Sequence, residues 1–337
     1  MRYIGVDLHT NSFTVCYLEE GEKEKFETYE LIKLAEFKDK LKANDKVAVE
    51  ATGNSNFFYD HIVDGVADVV VVAPGQFEVI RRSVKKTDKN DARALAFYLS
   101  KDMLPKARVK NKNYREVASL VETRERIVKL RTVLLNKIHG LCNGHGIKLK
   151  KESLSSKKGL ERVLGYELSE MAKLEAKIII EQVNSLSKSI DDLDEVIKGA
   201  ASQLEGYENI TSIKGVGEKS AAVFLSVIGD VNEFEDEGKL AAYFGIVPRV
   251  SNSNETEHSG RITKRGSKVG RTALVQCALV AKRYSPYLKA FYEKIKAKRG
   301  SGKAIIATAR KLLGIIYNTL KNDWVFEDFP NFVLKAN

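Results

Sequence analysis

Four carboxylates in the first hundred residues have the types and spacing that phosphoryl transfer needs. Asp7 closes the apolar run YIGVD, Glu50 closes VAVE, and Asp88 and Asp91 stand three apart in TDKNDAR. Acids at i and i+3 of a helix share one face. The strand ends of an α/β sheet are where ligands collect. Together the four could hold Mg2+, since carboxylate oxygens suit hard cations and two such ions about 4 Å apart stabilise both the attacking and the leaving oxygen of an in-line displacement. Taken singly, each acid is also accounted for as a turn former, a strand-end charge or a first-turn helix residue favoured by the dipole. Asp7 and Glu50 follow apolar strand residues, where burial without a partner would be costly.

A second group lies in PRVSNSNETEHSGRITKRGSKVGR. There Ser251, Ser253 and Ser259 stand among Arg249, His258, Arg261, Lys264, Arg265, Lys268 and Arg271. A serine attacking a phosphodiester needs cations against the developing charge and an acceptor for its proton; serines and asparagines in a loop are also ordinary turn formers. The segment SIKGVGEKSAA, with Lys214 and Lys219, fits a helix-hairpin-helix whose GVG turn offers backbone N–H groups to a phosphate, and fits a plain turn equally well. His139, Cys142 and His145 recur every three residues but have no fourth ligand, and a helix ending in glycines explains the same letters. The IGVD opening also occurs in actin-like ATPases and sugar kinases, which need a second, DxGxT-like phosphate loop that this chain lacks.

The elements that must carry these residues follow from periodicity. Alternating apolar residues predict strands over 2–7, 13–19, 25–29, 46–50 and 68–73, and 3.6-residue patterns predict helices over 31–43, 56–65, 75–82 and 89–101. Three strands in succession before the first helix fit a mixed sheet better than a purely parallel one. From Tyr114 the pattern is helical, with Leu120, Ile127, Leu134 and Leu141 in one stripe. Residues 144–165 have no periodicity and read as a basic loop or hairpin. Then Ile179, Val183, Leu186, Ile190, Leu193, Ile197, Ala200 and Leu204 form a heptad seam, about 55 Å long over 168–204, that predicts an antiparallel coiled coil or a dimer seam. Beyond 206, helices are expected over 218–228, 238–244, 267–283, 286–298 and 302–322, with an irregular loop over 248–265. The expected organisation is α/β plus α: a metal-binding domain over 1–110, a helical coiled-coil region over 111–205 and a mainly helical domain over 206–337.

The chain has 337 residues, 43% hydrophobic and 30% charged, which excludes a single small module and wholesale disorder. No window approaches the roughly 18 uninterrupted apolar residues of a membrane span, and the opening reads as a strand instead of a signal peptide, so cytoplasmic, nucleoid-associated residence is expected. Three cysteines without CxxC spacing give neither a disulfide framework nor a four-cysteine zinc site. The net charge of +11 is unevenly spread. Residues 1–80 hold 8 Lys+Arg against 15 Asp+Glu, 81–177 hold 25 against 11, 178–260 hold 6 against 15, and 261–337 hold 17 against 4. Two basic blocks separated by an acidic one predict two surfaces for nucleic acid, because each cation near a phosphate releases condensed counterions. Candidate contacts are Lys85, Lys86, Arg93, Lys150, Lys151, Lys157 and Lys158 in the first block. Lys214, Lys219, Arg249, Arg261, Lys264, Arg265, Lys268 and Arg271 are the later ones.

Asp7, Glu50 and TDKNDAR, then a coiled coil, KGVG, YFGIVPR and GRITKRG, together resemble the DEDD transposases of bacterial insertion sequences over nearly the whole chain. That family includes the site-specific invertase of a pilin gene and bridge-RNA-guided recombinases. The resemblance implies an RNase H-like (RuvC-like) N-terminal domain whose Asp7, Glu50, Asp88 and Asp91 bind Mg2+. It also implies a C-terminal transposase domain supplying a nucleophilic serine that forms a phosphoserine link to DNA. In the family that serine stands five residues after the Pro of the VP motif and seven before the Gly that precedes ITK; counting from Pro248 and from Gly260 gives Ser253. SNSN here replaces the usual Ser-Ser-Gly, which leaves Ser251 and Ser259 as alternatives. Further implied are a composite site built from two subunits of a homo-oligomer, donor and target DNA, and a structured guide RNA. A water-using junction nuclease and a non-enzymatic nucleic-acid binder are the competing readings.

Overall fold

The computed structural model describes residues 1–73, 87–253 and 256–325, leaving aside the side chains of Lys151 and of 250–259. The chain divides into two compact units, one ending at Val109 and one beginning at Lys110.

The first unit is built on one mixed sheet. Its strands are β1 (Arg2–Leu8), β2 (Ser12–Glu19), β3 (Lys25–Glu30), β4 (Lys46–Glu50) and β5 (Asp68–Val72), in the order β3-β2-β1-β4-β5. β1 pairs antiparallel with β2 and β2 with β3, while β1–β4 and β4–β5 are parallel, as the succession of three early strands predicts. Side chains alternate faces along a strand, and the sequence uses this fully. Ile4, Val6 and Leu8 of β1 and Val47 and Val49 of β4 bury on one face. There they meet Phe37 of α1 (Leu34–Asp39) and Phe58 and Ile62 of α2 (Ser55–Ile62). The alternate residues face α3 (Asp88–Ser100), where Ala48 packs on Leu95 and Leu99 and Cys16 on Ala92 and Ala96. The helix expected over 31–43 is shorter than its apolar pattern. It opens as a 3-10 turn and stops at Asp39, where the buried carboxylate of Asp45 accepts from the Lys42 amide and from Arg2 and turns the chain toward β4. The helix expected over 75–82, with Lys85 and Lys86, lies outside the described residues.

α3 approaches β1 closely because Gly5 has no side chain. A Cβ there would lie 2.0 Å from the Ala92 carbonyl oxygen and 2.4 Å from the Ala96 nitrogen. Thr87 caps the helix by accepting from the Asn90 amide, which fixes where Asp88 and Asp91 begin the first turn.

The second unit is mostly helical. α4 (Lys112–Gly144) and α6 (Glu170–Ser202), 33 residues each, lie antiparallel, as the pairs Lys137–Glu175, Arg131–Ser187 and Arg124–Asp194 require. Ile179, Val183, Ile190 and Ile197 of α6 are buried, so part of the seam is covered within this chain. Residues 144–165 are not the featureless loop their composition suggests. A 3-10 turn over Lys151–Leu154 and α5 (Lys157–Val163), capped by Ser156, bury Leu154, Leu160 and Val163 against Ile138 and Cys142. Three apolar side chains with one cap suffice to order a segment too short to show periodicity.

At the other end of the pair, Val117, Val121, Ile197 and Ala201 join one core with α7 (Tyr207–Thr211), α8 (Glu218–Ile228), α9 (Glu237–Tyr243), α10 (Lys268–Tyr284) and α11 (Pro286–Lys321). The two helices expected over 286–298 and 302–322 are the two segments of α11, which meet in a kink at Gly300, whose φ of 78° is not helical. The loop expected over 248–265 is a hairpin, β6 (Pro248–Ser253) with β7 (Thr256–Ile262). Alternation there is hidden because serine, asparagine and threonine occupy positions where apolar residues would have marked a strand. Among the described residues no helix is long and apolar enough to cross a membrane.

Asp194 joins α6 to both neighbours, accepting from Arg124 Nε at 2.6 Å and from Lys219 Nζ at 2.5 Å. Burial pushes its carboxyl pKa up, but those two cations outweigh the burial and hold it below the ordinary value. The resulting stabilisation is therefore present above the unfolded pKa and fades as pH falls through the folded one. Arg124→Ala is expected to cost about 1–2 kcal/mol at pH 7, and less at pH 3, in denaturant titrations; an equal cost at both values would contradict this account.

Candidate metal centre and nucleic-acid interface

Alternation on β1 and β4 turns Asp7 and Glu50 toward the face covered by α3. The parallel register pairs Gly5 with Ala48 and Val6 with Val49, so Asp7 and Glu50 stand one step further along adjacent strands. The start of α3 brings Asp88 and Asp91 to the same place. Asp7 is enclosed, with 14% of its side chain exposed, against 61% for Asp88. Its pKa rises to about 6, chiefly through burial; His9 opposes the rise, and the charges of Asp88, Asp91 and Glu50 add to it. All four predicted acids thus act electrostatically on one point.

Their ligand atoms are not equally close. Asp7, His9 and Asp88 each offer an atom within 4.8 Å of the others, whereas Glu50 and Asp91 are not part of that group. His9 Nε2 lies 3.3 Å from Asp7 Oδ2 and 3.6 Å from Asp88 Oδ1. Its backbone is fixed by an amide donated to the Ser12 carbonyl and by Asn54, which donates to the His9 carbonyl. Sequence reasoning missed His9. The signal was its place two residues after Asp7, on the same side of an extended chain.

A half-buried carboxylate crowded by three like charges is unfavourable unless a cation or a proton offsets it. The donor set, mainly carboxylate oxygen with one imidazole, suits a divalent ion, so the residues present fit such a group. The residues of the zinc question do not converge: Cys142 is buried in the helical core, and His145 Nδ1 is engaged with the Leu141 carbonyl.

The predicted nucleic-acid contacts separate into two kinds. Lys150, Lys157, Lys158, Lys214, Arg249, Arg261, Lys264, Arg265 and Lys268 are exposed. Three others have intramolecular work. Lys219 pairs with Asp194, Arg93 pairs with Glu24 at 2.6 Å and lies over the Phe26 ring, and Arg271 donates to the carbonyls of Phe244 and Gly266. Arg271 joins α10 to the end of α9, and burial lowers its pKa. In the KGVG turn Gly215 packs against the backbone of Ala281, so that side of the turn is occupied by protein. On the hairpin, Ser251 pairs with His258 and Ser253 with Thr256, which puts Ser253 beside the turn. Ser259, opposite Val250, lies nearer the base.

Comparison with known proteins accords with this arrangement. Residues 4–147 match the DEDD transposase domain of the IS110 type, and residues 207–293 match the family described as Transposase IS116/IS110/IS902. The transposase for insertion sequence element IS1111A of Coxiella burnetii is 28% identical over 334 residues, covering 95% of this chain and 90% of that protein. The pilin gene-inverting protein of Moraxella lacunata is 26% identical over 351 residues, covering 96% and 97%. The transposase for IS1328 of Yersinia enterocolitica is 24% identical over 280 residues, covering 82% and 83%. A DEDD transposase domain implies an RNase H-like fold for the mixed-sheet unit and a divalent metal at its acids.

Proposed function

We propose that this chain, which belongs to the IS110/IS116 family of DEDD transposases, cuts and rejoins DNA through a Mg2+ site on β1, β4 and α3 and through a serine of the β6–β7 hairpin. As a transposase it is an enzyme acting on DNA. The observation that carries the metal half is Asp7, enclosed against His9 and Asp88 with its pKa raised to about 6. Asp7 and Asp88 would hold the ion, with Glu50 and Asp91 completing the charge around it. When bound, Mg2+ supplies charge neutralisation for the oxygens of the phosphodiester under attack.

Ser253 is the proposed nucleophile, with Ser251 and Ser259 as its alternatives. Its Oγ forms a bond to phosphorus as the bond to a deoxyribose oxygen breaks, and its proton leaves with that oxygen or to a base. The phosphodiester energy is kept in the phosphoserine, so a later attack by a DNA hydroxyl restores both the strand and the serine without ATP. Exposed cations at the base of the hairpin, Arg249, Arg261 and Lys264 among them, would hold neighbouring phosphates of the same strand. The same reading includes a structured guide RNA, self-association along the remaining face of the α4–α6 coiled coil, a helix-hairpin-helix role for KGVG and residence with the nucleoid.

The test is an SDS-resistant adduct assay. Protein expressed with the DNA flanking its gene is incubated with donor and target duplexes in Mg2+ or EDTA, beside Ser253→Ala. An adduct that needs both Mg2+ and Ser253 is the expected outcome. Cleavage that leaves no protein on the DNA would overturn the serine mechanism in favour of attack by water, and an adduct persisting in Ser253→Ala would move the nucleophile to Ser251 or Ser259.

A further inference from the structure

The second unit has an open cleft of about 1340 Å3 between the base of the β6–β7 hairpin and α11. Arg261 and Lys264 line the hairpin side, and Lys294, Lys298, Arg299, Lys303 and Arg310 line the helix side. All seven are exposed, and none pairs with a described acidic residue. No acidic side chain lines the cleft among the described residues. Seven like charges facing one another across a cleft raise its potential and call for a polyanion. The floor is different in kind: Ile246 is buried at 2% exposure, and Ile262, Ile295 and Ile306 are only partly covered.

Cationic walls over an apolar floor match one form of nucleic acid better than another. A duplex offers phosphates outside and keeps its bases stacked within, leaving such a floor without a partner. A single strand offers phosphates to the walls and base faces to the floor. The kink of α11 at Gly300 falls between Lys298 and Lys303, so the two lysines lie on separate helical segments. The hairpin also gives the cleft a direction. Pro248 lines it, and Ser253 lies five residues further along the same strand, about 17 Å at strand rise.

We propose that this cleft binds a single DNA strand, the one being cut, next to the hairpin that carries the candidate serine. The choice of DNA rests on the reading of the hairpin given above; the choice of a single strand rests on the cleft alone.

The experiment uses full-length protein in EDTA, where no cleavage is expected, and a fluorescein-labelled 20-nucleotide DNA strand containing 4-thiothymine. After irradiation, crosslinks should map to the segments around Ile295 and Ile306. Unlabelled single-stranded DNA should compete better than the duplex or than RNA of the same sequence. The variant Lys298→Glu with Lys303→Glu should weaken single-strand binding at least about ten-fold and lower the slope of log affinity against log salt by about 1.4, near 0.7 for each phosphate no longer neutralised. Its unfolding midpoint should match wild type, since both lysines are exposed. Crosslinks confined to other segments, better competition by RNA or by duplex, or unchanged affinity and slope in the variant would each overturn the proposal. Failure of the serine reading looks different: adducts vanish or move while the crosslinks remain in the cleft.

Discussion

Asp7→Asn is expected to stabilise the metal-free protein and to silence it in the same step. The isosteric amide removes the charge that burial and the neighbouring acids disfavour, while it loses the anionic oxygen that holds a cation. With a folded pKa of about 6 against an ordinary 3.8, the wild-type carboxyl gives up its proton less readily folded than unfolded. The sign follows directly. Below about pH 4 the group is protonated in both states and costs nothing. Between pH 4 and 6 the unfolded chain binds fewer protons, so the wild type loses stability as pH rises, and above 6 the full penalty is in force. After allowance for solvent at the cluster edge, it amounts to about 1–3 kcal/mol.

Thermal melts of both proteins in EDTA from pH 4 to 8 should therefore start together and diverge, with Asp7→Asn the more stable at pH 7.5. Adding Mg2+ should raise the wild-type midpoint above pH 6 and leave the variant unmoved. DNA cleavage should fall by about three orders of magnitude, the several kcal/mol that a bound cation contributes at a reacting phosphate. A variant less stable than wild type at pH 7.5 in EDTA would mean that Asp7 is already satisfied by His9. His9→Ala should steepen the loss between pH 4 and 6, since it removes a group that lowers the Asp7 pKa.

Much of this site is legible in the letters, for a simple reason. Asp7 and Glu50 end apolar alternating runs, and the period of two puts each on the face opposite Ile4, Val6, Val47 and Val49. TDKNDAR carries its own cap in Thr87, so the start of α3 is written locally. What is not written locally stays hidden. His9 joins Asp7 and Asp88 only once Ser12 and Asn54 have fixed the turn after β1, a contact spanning 45 residues. The β6–β7 hairpin lacks the apolar alternation that marks a strand, and its pairing is a relation between two segments. Lys219, Arg93 and Arg271 show the converse limit, because a cation in a basic stretch looks free until its acid or carbonyl arrives from another element. The cleft beside α11 is more hidden still: the charges mark 261–337 as a basic block, but walls built from residues about forty apart are not visible in one dimension.

Gly5→Val tests the positioning of the acids without touching any of them. A Cβ at residue 5 would stand 2.0 Å from the Ala92 carbonyl oxygen, 2.4 Å from the Ala96 nitrogen and 3.0 Å from the Leu95 Cβ. Two of the three are backbone atoms of α3, so no rotamer change relieves the overlap, and the helix must move away by more than 1 Å to restore ordinary packing distances. Separating α3 from the sheet also loosens Leu95 and Leu99 from Ala48, Val70 and Val72, which adds lost packing to the overlap. The expected cost is about 3 kcal/mol or more, the upper end for overpacked cores. Gly53, with nothing within 4 Å of a Cβ, is the matched control, and Gly53→Ala should stay within about 0.5 kcal/mol of wild type. Because the start of α3 moves with the rest of the helix, Asp88 and Asp91 withdraw from Asp7. The Asp7 pKa should then fall toward its ordinary value as their charges recede, and Mg2+ should no longer raise the midpoint of whatever fraction remains folded. Gly5→Ala, with the same first carbon but less bulk, should lie between the two in both stability and Mg2+ response; a variant that loses stability yet keeps the full Mg2+ shift would show that the approach of α3 to β1 does not set the metal site.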